Sequence, residues 1–405
     1  MTYNSVSLPA SIDIAIIGAG AHALTLVTHL LQKRQDMRSR VLVFDPSGKW
    51  MSQWFHQFAA LKIPHLRSPA VHHPDPNPHA LRSFAKSRTC ELYPPYDLPG
   101  TQLFQDFCVD VINRWDLDKI VVKAKVNHIE PLSQLWSSRF RLWLNDQRSV
   151  LARRVVLAIG GGVPHLPDWV SQISTPYPQE RLCHSHQVDL RQLQLAGEQV
   201  LIVGGGLTSG HLAMGAIANG AKVLLMARRN FQQKLFDAEP GWLGPKYLKG
   251  FWAQSDWQNR WEMIQQARNG GSLTPAMMTQ LRRAQRDGIT LQEQCQIVAA
   301  VWQGNYWQIH CDDGTRQCDR IWLATGTKLD VTANPMLAEI LDAYSTPIVN
   351  GLPVVNSHLG WQGCELFIMG GLAALQVGPV ARNLIGARMA SERIVPALTK
   401  LRRAS

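Results

Sequence analysis

Two glycine-rich segments have the residue types and the spacing of a turn that binds phosphate groups. In the first, Gly18, Gly20 and Ala23 follow an apolar run and match the pattern GxGxxG/A. The first glycine allows a tight turn, the second lets the backbone approach a pyrophosphate, and the small third residue lets the next helix pack closely on the strand. Amides at the N-terminus of that helix then bind the negative charge. The segment therefore predicts a bound dinucleotide.

The second segment has Gly204, Gly206 and Ser209 at the corresponding positions, after the apolar run VLIV, and a helix is expected over residues 211–219. Two such turns in one chain predict two nucleotide sites. For each segment the alternative is an ordinary glycine turn with no ligand.

The residues after the next strand distinguish the two sites. In the first unit that strand ends at Asp45, whose carboxylate can accept hydrogen bonds from ribose hydroxyls. In the second it ends at Arg228 and Arg229, and guanidinium groups bind a 2′-phosphate that an acid would repel. The cofactor pair that needs both arrangements is FAD and NADPH. A solvated basic strand end is the alternative for the arginines.

The order of elements around these turns occurs twice. Each unit runs from strand through glycine turn and helix to further strands, and ends in an apolar strand that stops at a glycine, Gly160 or Gly326. This repetition predicts an α/β fold of two Rossmann-like dinucleotide-binding lobes, one inserted in the other, with a helical insertion. We expect the FAD lobe at residues 1–162 and 327–405, the NADPH lobe at 163–236 and 295–326, and the insertion at 237–294, which includes a helix that starts at Pro275.

A third glycine-rich segment lies near the C-terminus. Gly370, Gly371 and Gly378 would let backbone amides approach the flavin ring, and Gln376 could reach its polar edge. The tryptophan-rich insertion either walls an apolar substrate pocket or packs the lobes together.

Composition excludes several classes of protein. The net charge is +11, but Lys and Arg are spread along the chain, which favours small anionic ligands, an acidic partner or a membrane surface over nucleic acid. No apolar run reaches the length of a membrane span. The seven cysteines form no CxxC pair, which predicts reduced thiols in a cytoplasm. We expect Cys311 and Cys318 to face each other across a hairpin.

The sequence predicts no metal site. His72, His73, Asp75 and His79 lie together, but they alternate with prolines in a stiff, irregular loop that sets no ligand geometry.

Four further segments carry a resemblance to a known family: SGKWMSQW at residues 47–54, FAALKIPHLRSPAVHHP at 58–74, CHSHQVD at 183–189 and DRIWLATG at 319–326. Their order resembles that of the class B flavin monooxygenases, and is most similar to the lysine and ornithine N-hydroxylating branch. The resemblance covers most of the chain.

The resemblance implies roles for several residues. Trp50, Gln53 and Lys62 would line the flavin and substrate side, with Gln53 and Lys62 the candidates for the catalytic side and Lys62 holding a substrate carboxylate. Arg67 would lie near the flavin or NADP phosphates. The alternatives are that Trp50 belongs to the core and that Lys62 is an exposed charge.

The implied reaction is hydride transfer from NADPH to FAD, followed by O2 activation and oxygenation of a small nucleophilic nitrogen or sulfur substrate. Two other functions stay open: an NADPH-dependent reductase that passes electrons to a quinone or a protein, and a low-turnover flavin-binding redox sensor. The sequence gives neither the substrate nor the oligomeric state.

Overall fold

The computed structural model describes residues 8–132, 139–160 and 162–400. The strands are, in chain order, β1 (Ser11–Ile17), β2 (Val41–Asp45), β3 (Leu92–Tyr93), β4 (Leu98–Pro99), β5 (Val121–Lys123), β6 (Val126–Leu132), β7 (Arg139–Leu144), β8 (Ser149–Leu157), β9 (Val163–Pro164), β10 (Leu182–His184), β11 (Gln199–Val203), β12 (Lys222–Met226), β13 (Ile289–Gln292), β14 (Ile297–Trp302), β15 (Trp307–Cys311), β16 (Gly314–Cys318), β17 (Arg320–Leu323), β18 (Thr327–Lys328), β19 (Ile348–Val349), β20 (Leu352–Pro353) and β21 (Leu366–Ile368).

The α-helices are α1 (Ala21–Lys33), α2 (Ser52–Ala60), α3 (Ala80–Phe84), α4 (Thr101–Arg114), α5 (Asp168–Ser171), α6 (Leu207–Ala218), α7 (Pro245–Ala253), α8 (Trp257–Arg268), α9 (Pro275–Ala284), α10 (Ala338–Ala343), α11 (Ala374–Val377) and α12 (Leu384–Thr399). The α/β class predicted from the sequence is confirmed. None of the helices in the described ranges is long and apolar enough to cross a membrane.

The first sheet is built around β1. Its order is β5-β2-β1-β8-β7-β6, and β1 pairs in parallel with both β2 and β8. The strand β21, from near the C-terminus, pairs in parallel with β8, with Leu366 opposite Val155. Buried residues of α1 and α12 pack on this sheet, so the C-terminal part of the chain completes the layer that the N-terminal part begins.

The second sheet is parallel throughout, in the order β10-β17-β11-β12-β13. Its edge strand Ile289–Gln292 was not predicted, because residues 237–294 were expected to be helical. The helix α6 begins at Leu207, directly after Gly206, and not at His211 as expected. The expected start of α9 at Pro275 is correct, and the Thr274 hydroxyl caps it by accepting the Met277 amide at 3.1 Å.

A three-stranded antiparallel sheet, β14-β15-β16, follows the second sheet. Its register pairs Cys311 with Gly314 and Cys318 with Trp307, so the expectation that the two cysteines face each other was wrong. The two cysteines belong to the same hairpin, but the tight turn begins directly after Cys311. Cys318 therefore pairs with a residue four positions before Cys311.

Candidate cofactor-binding site

The two glycine-rich turns have the same backbone geometry. The Gly18 amide donates to the Phe44 carbonyl at 2.8 Å, and the Gly204 amide donates to the Met226 carbonyl at 2.9 Å. Both glycines have positive φ angles, +97° and +147°. A side chain at either position would also collide with a carbonyl oxygen at the end of a neighbouring strand. Only glycine fits both positions, so the turn is a product of backbone packing.

The first turn is open on the side that a ligand would approach. A Cβ atom on Gly20 would meet no other atom within 4 Å, whereas one on Gly18 would lie 2.6 Å from the Ala158 carbonyl oxygen. Ala23 is fully buried and lets α1 pack closely on the sheet. The first amides of α1 have no partner within the helix, so they are free to bind an anion there.

Asp45 lies beside the first turn, at the end of β2. Its Oδ2 accepts the Ala19 amide at 3.1 Å, while Oδ1 accepts the amide and the hydroxyl of Ser47 at 2.9 and 2.6 Å. A carboxylate oxygen has two lone pairs, so Oδ2 keeps the capacity to accept a ligand hydroxyl.

The second turn is covered by the loop that joins α8 to α9. A Cβ atom on Gly271 would lie 2.9 Å from the Cα atom of Gly206, so only a glycine can pass at this distance. Ser209 is fully buried, and its hydroxyl donates to the Gly206 carbonyl at 2.7 Å. The Ser209 side chain therefore braces the turn from within α6.

Arg228 and Arg229 lie one and two positions beyond the residue of the second unit that is equivalent to Asp45. Because the Phe44 and Met226 carbonyls occupy equivalent positions, the residue equivalent to Asp45 is Ala227. Both arginines are exposed. The Arg229 guanidinium packs directly on Gly270, where any side chain would collide with it.

Trp50 and Lys62 both have hydrogen-bond partners within the protein. Trp50 is 4% exposed within the core of the first lobe, and its indole N–H donates to the Leu117 carbonyl at 3.0 Å. The exposed Lys62 ammonium donates to Asn219 Oδ1 at 2.9 Å, at the opposite end of α6 from the glycine turn. Gln53 is exposed in the first turn of α2. These contacts match the alternatives of a core tryptophan and a surface lysine, and both residues' cofactor and substrate roles stay predictions.

Arg67 donates hydrogen bonds to residues in and next to the insertion. Its guanidinium donates to Asp237 Oδ1 at 2.6 Å, to the Leu235 carbonyl at 2.8 Å and to the Ser272 hydroxyl at 2.9 Å. Burial lowers the pKa of Arg67, an effect that Asp237 opposes. The side chain thus joins the first lobe to the loop that covers the second turn.

The C-terminal glycine segment lies against the first turn. His22, in the first turn of α1, shares a hydrogen bond with the Ala381 carbonyl at 3.0 Å, and burial lowers the pKa of its imidazole. Gly370 has φ +75°, and a Cβ atom there would be 3.9 Å from the His22 ring. The beginnings of α1 and α12 therefore converge, as a shared dinucleotide site requires.

Three other predicted residues of this segment, and Gly326 outside it, are close to protein atoms. A Cβ atom on Gly371 would lie 2.5 Å from the Leu329 side chain, and one on Gly378 would lie 3.2 Å from Leu248. The Gln376 amide donates to the Val355 carbonyl at 2.8 Å, so its side chain is held by the protein. Gly326 has φ +82°, and its carbonyl pairs with the His184 ring at 3.0 Å.

Sequence reasoning missed a group of charged residues at the same interface. Asp237, Arg268 and Arg382 meet Arg67 there, although they are far apart along the chain. No local pattern marks them, because each comes from a different segment.

A separate cluster of side chains lies behind the second turn. Cys295, Cys311 and Asp313 each place a potential metal-ligand atom within 4.8 Å of the others. Arg316 already donates to both carboxylate oxygens of Asp313 at 2.6 and 2.7 Å, and burial raises the pKa of both thiols. These groups therefore satisfy one another.

Comparisons with known proteins agree with this geometry. Residues 15–162 match the model of a FAD-NAD(P)-binding family. The ornithine N-hydroxylase of Kutzneria sp. 744, solved with reduced FAD, NADP+ and L-ornithine, is 16% identical with a TM-score of 0.77, covering 96% of this chain and 99% of that one. The ornithine hydroxylase of Pseudomonas aeruginosa is 15% identical with a TM-score of 0.76, over 96% and 98% of the two chains. The chain has the fold of the flavin-dependent N-hydroxylases.

The chain also resembles a reductase, with a lower TM-score. The bacillithiol disulfide reductase of Staphylococcus aureus is 12% identical, with a TM-score of 0.64 over 96% of this chain and 98% of that one. Comparison by sequence with curated proteins finds no match.

Proposed function

We propose that this protein is an NADPH-dependent flavin monooxygenase that oxygenates a small nucleophilic nitrogen or sulfur compound. The observation that carries the proposal is the pair of equivalent glycine turns, one followed by Asp45 and the other by Arg228 and Arg229. The two turns have equivalent backbones, but a carboxylate follows the first and guanidinium groups follow the second. This difference suits one dinucleotide with free ribose hydroxyls and another with a 2′-phosphate.

The first turn fits FAD. Gly18 gives the tight turn, Gly20 leaves room for a pyrophosphate, and Asp45 Oδ2 can accept a ribose hydroxyl. The amides at the start of α1 would bind the phosphates, and the segment from Gly370 to Gly378 would lie along the flavin.

We assign NADPH to the second turn. The loop that covers this turn has glycines at the two positions that contact it, Gly270 beside Arg229 and Gly271 beside Gly206. No side chain of the loop therefore lies between it and the turn at these two positions. The exposed guanidiniums of Arg228 and Arg229 would bind the 2′-phosphate with charge-assisted hydrogen bonds.

The two cofactors, when bound, would supply hydride transfer from NADPH to FAD and activation of O2 by the reduced flavin. The chain's own residues position the two cofactors and keep water away. Leu248 and Phe251 of the insertion are buried against Gly378, so an apolar wall stands next to the C-terminal glycine segment. Arg260, held by the carbonyls of Trp252, Gln254 and Leu375, fixes this wall to the first lobe.

A reductase is the second candidate, because the disulfide reductase of Staphylococcus aureus shares the two-lobe fold. All seven cysteines are free in the structure and none forms a CxxC pair, so the acceptor would be a quinone or a protein group other than a disulfide. The free thiols also fit a reducing compartment, and we propose a cytoplasmic location.

The test follows the flavin spectrum. Purified protein should be yellow, bleach on anaerobic addition of NADPH faster than with NADH, and reoxidise in air with incorporation of one oxygen atom into an amine or thioether substrate, detected by mass. Rapid bleaching with electron transfer to a quinone and no oxygenated product would favour the reductase. Protein that is colourless and binds no added FAD would overturn both.

A pair of variants links this result to the structure. Asp45→Ala should lower FAD affinity by about 1.5 kcal/mol or more, as expected for a lost charge-assisted hydrogen bond. Asp146→Ala, an exposed acid in the turn between β7 and β8, is the matched control and should leave FAD affinity unchanged.

A further inference from the structure

Three guanidinium groups and one carboxylate meet between the first lobe and the insertion. Asp237 accepts from Arg67 through Oδ1 at 2.6 Å and from Arg268 through Oδ2 at 3.2 Å. Arg268 also donates to the Pro379 carbonyl at 2.8 Å. Both oxygens of Asp237 are therefore in use, and the cluster as a whole carries two more positive charges than negative ones once Arg382 is counted.

Arg382 is the unsatisfied member of this cluster. It makes no hydrogen bond or ion pair with any residue in the described ranges, and it interacts with Asp237 and Arg268 only over a longer distance. Desolvation, and then repulsion from Arg268, lower its pKa to about 10. More than a third of its surface is nevertheless accessible. The Arg382 guanidinium is therefore accessible to a ligand, beside a cluster that already holds an excess of positive charge.

The position of Arg382 relates it to the proposed cofactor site. The preceding residue, Ala381, binds His22 of α1 through its carbonyl, and the following residue, Asn383, is the N-cap of α12. On its other side the cluster reaches Ser272, next to the Gly271 that covers the second turn. Arg382 thus lies between the regions that hold the two glycine turns.

Two other arginines show how the protein holds a guanidinium that has a structural role. Arg260 is buried, and its three donor groups are bound by the carbonyls of Trp252, Gln254 and Leu375. Arg393 donates to the Gln376 carbonyl at 2.9 Å and stacks on Trp252. Arg382 differs from both, because its guanidinium has no such partner among the described residues while more than a third of its surface is accessible.

We infer that Arg382, supported by Arg268, binds an oxyanion of a ligand that approaches this cluster: a carboxylate of the oxygenation substrate or a phosphate of NADPH. A planar guanidinium binds either group through two parallel hydrogen bonds. This inference rests on the proposed function for the identity of the ligand. If the carboxylate is the ligand, the substrate is an acid-bearing amine or thioether rather than a neutral one.

The test compares Arg382→Gln with the wild type, using protein saturated with FAD. NADP+ binding is measured by the change in the flavin absorbance spectrum, and succinate binding is measured by calorimetry with NADP+ present. Arg148→Gln, which removes an exposed charge from the turn between β7 and β8, is the matched control. Arg382→Lys keeps the charge but loses the planar fork, and it serves if the glutamine variant does not fold.

A loss of NADP+ affinity of about tenfold or more in Arg382→Gln, with Arg148→Gln unchanged, assigns the oxyanion to NADPH. A similar loss of succinate affinity with NADP+ affinity kept assigns it to a substrate carboxylate. Unchanged NADP+ affinity without Arg382-dependent succinate binding overturns the inference. Its failure is distinct from that of the proposed function, because FAD loading and bleaching by NADPH are measured on the same wild-type sample. If FAD does not bind, inorganic pyrophosphate replaces NADP+ as the calorimetric probe.

Discussion

The Cα atom of Gly18 faces the carbonyl oxygen of Ala158, so closely that a Cβ atom would lie 2.6 Å from it. Gly204 has the same relationship with Ala324 in the second unit. In each unit a glycine with φ +82°, Gly160 or Gly326, lies two residues after that alanine. The repeat in the sequence therefore corresponds to a repeat of specific backbone contacts.

Gly18→Ala should abolish stable FAD binding. The substitution adds a carbon atom at the carbonyl oxygen of Ala158, and it forces a residue with a side chain to φ +97° at a cost of about 1 kcal/mol or more. The FAD content of purified protein measures the effect. Gly250→Ala, at an open position in α7, is the control and should keep full FAD content. Equal FAD content in both variants would contradict the assignment of the first turn.

Replacing Arg228 and Arg229 together by serine should change the preference for the hydride donor. The double variant loses the groups proposed to bind the 2′-phosphate, so the Kd for NADPH should rise by about tenfold to a hundredfold, while NADH binding changes little. Titration of both nucleotides against the flavin spectrum checks this. Arg282→Ser with Arg283→Ser removes the same charge from the exposed side of α9. If that control loses NADPH affinity to the same extent, general electrostatic attraction would explain the effect.

The sequence predicts the parts of this site that depend on local backbone chemistry. Gly18 and Gly204 can be found because only glycine fits a positive φ next to a carbonyl, and Asp45 can be found because it ends a strand after such a turn. The early start of α6 was missed because Thr208, Ser209 and Gly210 are poor helix formers whose conformation the turn imposes.

The partners of long side chains could not be predicted in the same way. The contacts of Arg67 with Asp237 and of Lys62 with Asn219 join residues more than 150 positions apart. Such pairs depend on how the lobes pack, and neither periodicity nor motif spacing encodes that packing in a single sequence.

Lys62→Met should leave the KM of the substrate unchanged. The Lys62 ammonium is exposed and bound to Asn219 at the C-terminal end of α6, about 18 Å along the helix from the glycine turn, given a rise of 1.5 Å per residue. Loss of this surface contact should lower the free energy of unfolding by about 1 kcal/mol or less. Steady-state kinetics and urea unfolding measure both quantities. A KM that rises tenfold with unchanged stability would instead support the role in carboxylate binding that the family resemblance implies.

Acid should destabilise the protein through buried histidines before its carboxylates titrate. Burial lowers the pKa of His73 to about 4, with the like charges of Arg388 and His72 adding to the effect while Asp75 and a bond to the Pro78 carbonyl oppose it. A histidine in the unfolded chain has a pKa of about 6.5 and binds its proton first, so the stabilising contribution is present above pH 6.5 and is lost as the pH falls towards 4.

The variant His73→Gln isolates this contribution from that of the other titrating groups. It should be less stable than the wild type at pH 7, yet lose less free energy of unfolding between pH 7 and pH 5, because each unit of pKa difference is worth about 1.4 kcal/mol. Urea unfolding at the two pH values gives the comparison, with the exposed His79→Gln as the control. Parallel losses in all three proteins would mean that the folded state does not lower the pKa of His73, and would contradict this prediction.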